Sequence, residues 1–131
     1  MNSTLQPEGW AKPAGYANGV SARGRSIFVA GQIGWNEESR FESDDLVEQI
    51  AQALRNILAV LACDGAGPEH ITHLTWYFLD KREYVARLSE VGKVYREIIG
   101  RNFPAMTAVQ VSALIEERAM VEIQANAVVP D

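Results

Sequence analysis

The sequence predicts an α+β fold: a two-layer sandwich in the order β-β-α-β-α-β-β, with both helices on one face of a sheet. Three observations lead there. Two segments carry apolar residues at helical spacing, one stripe each. The remaining apolar residues alternate in short runs bounded by Gly, Pro and charged turns. Two singly striped helices can cover only one face of one sheet. The 131 residues are enough for one domain, 1–131, with a core that needs no disulfide, and 47% hydrophobic against 22% charged residues is a globular balance.

Residues 1–13 are polar, carry Pro7 and Pro13, and form an N-terminal arm that is ordered only if it docks. Residues 16–22 and 26–33 are strand candidates, and the Arg23-Gly24-Arg25 step between them suits a hairpin turn. Gly31 and Gly34 bracket Gln32, where another group can approach the backbone closely.

The first helix starts near Ser43, where Ser43 or Asp44 can cap it. Its stripe is Val47, Ile50, Ala51, Leu54, Ile57, Leu58 and Leu61. Gly65-Ala66-Gly67-Pro68 stops it. In the strand over 71–79, Leu74, Trp76 and Phe78 point one way and His73, Thr75 and Tyr77 the other. A second helix covers 82–99 with the stripe Tyr84, Val85, Leu88, Val91, Tyr95, Ile98 and Ile99, capped by Gly100.

Residues 105–114 and 119–129 are the last two strands, predicted as a hairpin around Glu116-Glu117-Arg118. Period-2 alternation puts Val121, Ile123, Ala125, Ala127 and Val129 on one face and Glu122, Gln124 and Asn126 on the other. Taking Thr107, Val109, Val111 and Ala113 as the inward set leaves Met106, Ala108, Gln110 and Ser112 beside Glu122 on the uncovered face. Two arrangements fit such a face: a solvated surface, or an interface between subunits enclosing a wet pocket.

Several classes of function are excluded or disfavoured. Twelve Lys+Arg against seventeen Asp+Glu give a net charge of -5, which disfavours general binding to nucleic acid or anionic membranes. The longest apolar run, residues 57–63, is too short to span a bilayer, and the first ten residues do not read as a secretory signal. A cytoplasmic setting is expected. Cys63 is the sole cysteine and reads as an inert small residue. His70 and His73 would face opposite sides of a strand, so no metal site is expected.

The chain resembles the Rid family of reactive-intermediate deaminases, also called the YjgF or L-PSP endoribonuclease family. PAGYANGV at 13–20, IFVAGQIG at 27–34, EQIAQALRNILAVLACDGA at 48–66 and HITHLTWYFLD at 70–80 carry the resemblance. VYREI at 94–98, FPAMTAVQVSAL at 103–114 and VEIQANAVVP at 121–130 extend it over nearly the whole chain. It implies a chorismate-mutase-like fold and a homotrimer whose sheets face a central barrel, with pockets at subunit boundaries. It also implies hydrolysis of enamines or imines to carbonyl compounds and ammonia, with no cofactor and no metal.

Carried over residue by residue, the resemblance makes Glu122 the catalytic, water-positioning carboxylate. Tyr16, Gly31 and the Met106-Thr107-Ala108 stretch become substrate-binding. Three positions depart from the family pattern. Met106 stands where the FPAR arginine would clamp a substrate carboxylate, Ala30 where a serine precedes the glycine, and Gly92 where the second helix has an asparagine. Methionine offers an apolar surface and no charge. Loss of a bidentate charged contact costs roughly 1.5–3 kcal/mol, about ten- to a hundredfold in affinity. Arg96, Arg101 and Arg118 are the cations that neighbouring elements could bring to the pocket. The alternative to an enzyme is a small-ligand-binding trimer. An endoribonuclease or translation inhibitor, suggested by the older family name, is disfavoured by the charge and by the lack of an acid–base histidine pair.

Overall fold

A computed structural model describes residues 2–131. Its elements are β1 (Ser3–Leu5), β2 (Gly19–Ser21), β3 (Arg25–Ile33), α1 (Leu46–Ala62), β4 (Ile71–Phe78), α2 (Lys81–Ala86), α3 (Leu88–Ile98), β5 (Ala105–Gln110) and β6 (Val121–Val129). A short 3-10 turn, Pro68–His70, leads into β4. The main sheet has the order β3-β6-β4-β5, and β1 pairs with β2 in a separate two-stranded sheet. The α+β class and the two-layer arrangement follow the sequence prediction.

The buried alternation of β6 sets the centre of the sheet. Val121, Ile123, Ala125 and Ala127 are each at most 1% exposed and lie under the helices with Leu74, Trp76 and Phe78 of β4. The α1 stripe closes over them: Ile50, Leu54, Ile57 and Leu61 are fully buried. Each such side chain contributes about 1.5–3 kcal/mol of transfer free energy. The cap of α1 is Asp45, just beyond the predicted Ser43 or Asp44, and it accepts from the Glu48 amide at 3.1 Å. Ser43 instead accepts from the Asp45 amide at 3.0 Å. Gly65, at φ +70, makes the left-handed turn after the helix.

Two expectations about strand pairing are corrected. Residues 16–22 and 26–33 do not form a hairpin: β2 pairs antiparallel with β1, while β3 pairs with β6. The N-terminal arm thus supplies β2's partner. The last two strands are not a hairpin either, because β4 lies between β5 and β6, and β5 runs parallel to β4. The chain after Gln110 must therefore cross β4, and the strand predicted over 105–114 ends there so that it can.

The second predicted helix is two. It breaks at Arg87 (φ -112, ψ 20), whose guanidinium bonds Asp45 at the start of α1 and Glu90 in α3. Against the predicted stripe, Val85 and Leu88 are not buried in the core, at 59% and 47% exposed. Val91, Tyr95 and Ile99 remain buried. No described helix is long and apolar enough to cross a membrane.

Candidate functional site

The parity of β5 decides which residues can meet. In its parallel ladder with β4, Met106 is beside Leu74, Thr107 beside Thr75 and Ala108 beside Trp76. Met106 and Ala108 therefore face the helices, and Thr107 and Val109 face away. Glu122 is paired with Tyr77, on the face away from the helices. Glu122 and Met106 are thus on opposite faces of the sheet, contrary to the prediction that they share one. The phase was misread because β5 is an edge strand that keeps Val109 outside, 42% exposed, so apolar character does not mark its inner side. Gln110 belongs to the helix side as well, where its amide oxygen accepts from the Lys81 amide at 2.9 Å and caps α2.

On the helix side, α3, β4 and β5 enclose a cleft of about 580 Å³. Leu88, Val91, Gly92, Tyr95 and Arg96 line it from α3, and Tyr84 from α2. Trp76, Met106 and Ala108 line it from the strands. Its mouth is formed by Phe103 and by Ala14-Gly15-Tyr16. The Ala17 amide donates to the Pro104 carbonyl at 2.9 Å, which lays the Tyr16 segment along the start of β5. Tyr95 and Phe103 stack with centroids 5.7 Å apart, and the Tyr95 hydroxyl donates to the Asn102 carbonyl. Burial pushes the Tyr95 phenol well above its ordinary pKa, so it remains a neutral donor. The indole N–H of Trp76 is buried without an acceptor among the described residues.

On the other face, the half-buried Glu122 leans on Gly31. A Cβ at position 31 would sit 2.0 Å from Glu122 Oε2. Gly31 lies in a register shift between Val29 and Gln32 of β3, and this bulge opens the backbone to the carboxylate. Glu122 has no hydrogen-bond or ion-pair partner among the described residues, so its oxygens are free to hold a ligand or a water. Nearby, the Tyr77 hydroxyl is 3.3 Å from Gln124 Oε1. The His73 ring lies between the hydroxyls of Thr75 and Thr107, 3.3 Å from each. His70 Nδ1 accepts from the Gly67 amide at 3.0 Å. Each histidine thus has a local structural partner. Among the described residues no cluster of His, Cys, Asp and Glu could hold a metal ion.

The sequence-derived site residues therefore fall into two sets. Tyr16, Met106 and Ala108 meet in the cleft, while Glu122, Gly31 and Thr107 lie on the open face. Leu88, Tyr95 and Trp76 were missed as site residues because their stripe or alternation reads as core, and Phe103 because it lies in a loop outside both. Of the candidate cations, Arg96 lines the cleft, whereas Arg118 is held by Asp44 at 3.0 Å and lies over the Phe41 ring.

The fold, a four-stranded sheet with helices on one side, is shared with solved Rid-family structures. A Rid-family protein of unknown function from Yersinia pestis, 27% identical, matches with a TM-score of 0.86 over 98% of each chain. The model of the endoribonuclease L-PSP family matches residues 10–129, and the chain belongs to that family, the Rid or YjgF family. A RutC family protein from Pyrococcus horikoshii is 31% identical over 129 residues, 97% of this chain and 98% of its own. The human 2-iminobutanoate/2-iminopropanoate deaminase is 30% identical over 105 residues, 79% of this chain and 73% of the relative.

Proposed function

We propose that the protein hydrolyses a reactive enamine or imine metabolite to the corresponding carbonyl compound and ammonia, in a pocket completed between copies of the chain in a homotrimer. The observation that carries this is the unpartnered Glu122 carboxylate resting on Gly31. Names of relatives support the reaction class, since the human and rat relatives are 2-iminobutanoate/2-iminopropanoate deaminases. Two half-sites on opposite faces of one sheet support the shared pocket: the cleft of one copy would meet the Glu122 face of the next.

In this scheme the imine reacts in its N-protonated form: Glu122 accepts a proton from water as the oxygen adds to the imine carbon, giving a neutral carbinolamine. Glu122 returns that proton to nitrogen, and as the C–N bond breaks the carbinol hydroxyl gives its proton to the carboxylate, so that the carbonyl compound and ammonia leave and the proton passes from Glu122 to solvent. An enamine enters the same route after tautomerising to the imine. General acid–base work of this kind supplies ~10²–10⁴-fold. Tyr16, Met106, Thr107 and Ala108 would orient the substrate.

The test is ammonia release from an enamine generated in situ from serine or threonine, compared for the wild type and Glu122→Gln. Loss of the rate in the variant supports the enzyme. No rate above buffer across several imines, together with ligand binding, points to the second reading, a small-ligand-binding trimer. Met106, without charge at the clamp position, favours that alternative.

A further inference from the structure

We propose that Arg96 is the carboxylate anchor of the cleft, and that the cleft selects a monocarboxylate with a large apolar or aromatic side chain. The charge inventory of the cleft comes first. Among its lining residues Arg96 is the one cation, and none is an anion. Three other arginines are ion-paired elsewhere, Arg87 with Asp45 and Glu90, Arg118 with Asp44, and Arg25 with Asp64, and Arg101 is not among the lining residues of the cleft. Arg96 has no ion pair or side-chain hydrogen bond among the described residues, so its five N–H donors are free for a planar anion.

Gly92 explains where the guanidinium lies. A Cβ at position 92 would sit 3.2 Å from Arg96 Nη1, so the side chain folds back one turn over the bare glycine. Any side chain there would compete for that position. The pairing of Gly92 with Arg96 on α3 thus supplies a charge that Met106, on the facing strand, does not.

Size and lining set the rest of the ligand. The cleft, about 580 Å³ and open on one side, leaves room for a body larger than a three- or four-carbon acid. The walls beside Arg96 are apolar or aromatic: Leu88, Val91, Trp76, Met106 and Phe103. A ligand with one carboxylate and a bulky apolar body satisfies the cation and fills the space. Naming the substrate as the 2-imino acid of a large apolar amino acid rests on the deaminase proposal above; the carboxylate anchor does not.

The experiment separates the two by reading binding first. Calorimetric titration with 3-phenylpropanoate and with propanoate is run on the wild type, Arg96→Gln, Arg96→Lys and Gly92→Val. The expected result is at least tenfold tighter binding of 3-phenylpropanoate, weakened tenfold or more by Arg96→Gln and partly kept by Arg96→Lys. Gly92→Val should weaken it also. Arg96 is an exposed helix residue, and an unchanged circular dichroism spectrum and melting temperature will show that its variants fold. Equal affinity for both acids, or binding in Arg96→Gln equal to the wild type, overturns the inference. Binding that follows this pattern without ammonia release from the imine of phenylalanine sustains the anchor and removes the deaminase. Ammonia release that is indifferent to Arg96→Gln does the reverse.

Discussion

The two faces of the main sheet use the same strands for different ends. Toward the helices, β6 and β4 present an unbroken apolar layer that opens beside β5 into a cleft with one cation. On the other side the same strands present Tyr77, His73, Gln124 and the Glu122 carboxylate, with Phe28 78% exposed among the outward side chains. One face is covered by its own helices; the other is open in the single chain. In the proposed function, a reaction using both the cleft and the carboxylate draws them from two copies of the chain.

The largest effect that sharpens this contrast is expected from Glu122→Gln. Ammonia release should fall ~10²–10⁴-fold with the melting temperature within a few degrees of the wild type, as measured by steady-state assay and calorimetry. Next come two glycines three residues apart. Gly34→Ala would place a Cβ 2.5 Å from Gln49 Cβ and 2.8 Å from its Cα, against helix backbone, so denaturant unfolding should show a loss of about 1–3 kcal/mol. Gly31→Ala meets the side chain of Glu122, from Cγ to Oε2, rather than backbone, so its cost should appear mainly in turnover, roughly tenfold, with stability changed by less than about 1 kcal/mol. Equal behaviour of the two variants would break the distinction between a structural approach and a functional one.

A smaller effect concerns the strap that holds the cleft helices to α1. The hydrogen bond from Arg87 holds the Asp45 carboxyl below its usual 3.8, and Arg87 likewise lowers Glu90. A depressed folded pKa means that Asp45 stabilises the protein fully above about pH 4 and loses this contribution as pH falls through the lowered value. Asp45→Asn keeps a capping oxygen and should flatten the acid limb of a stability–pH profile. Asp45→Ala should lose about 1 kcal/mol at neutral pH as well. An unchanged acid limb in Asp45→Asn would remove Asp45 from the strap.

The legibility of the chain follows from how strongly each segment is constrained. α1 and β6 are read correctly because each seals a core: their apolar periodicities have one solution. β5 is misread because an edge strand with Thr107 and Val109 outside and Met106 and Ala108 inside has little contrast between its faces. The break at Arg87 depends on carboxylates 42 residues back and three ahead, which no local pattern reveals. The same is true of pairing. β2 takes its partner from the arm, and β6 inserts between β3 and β4, both outcomes of long-range packing. The glycines are the exception. Gly31 and Gly34 announce close approaches from sequence, and the structure supplies Glu122 and Gln49 as the groups that approach.

Subunit mixing tests the shared pocket most directly. Glu122→Gln leaves the cleft whole, and Ala108→Trp fills the cleft while leaving Glu122 on the opposite face. Each variant alone should be inactive in ammonia release. Unfolded together and reassembled in equal amounts, they should recover about a quarter of the wild-type rate, since half of the clefts and half of the carboxylates are intact and each boundary draws one of each. A mixture no more active than its two components, from a wild type that is active, would contradict a site built between copies.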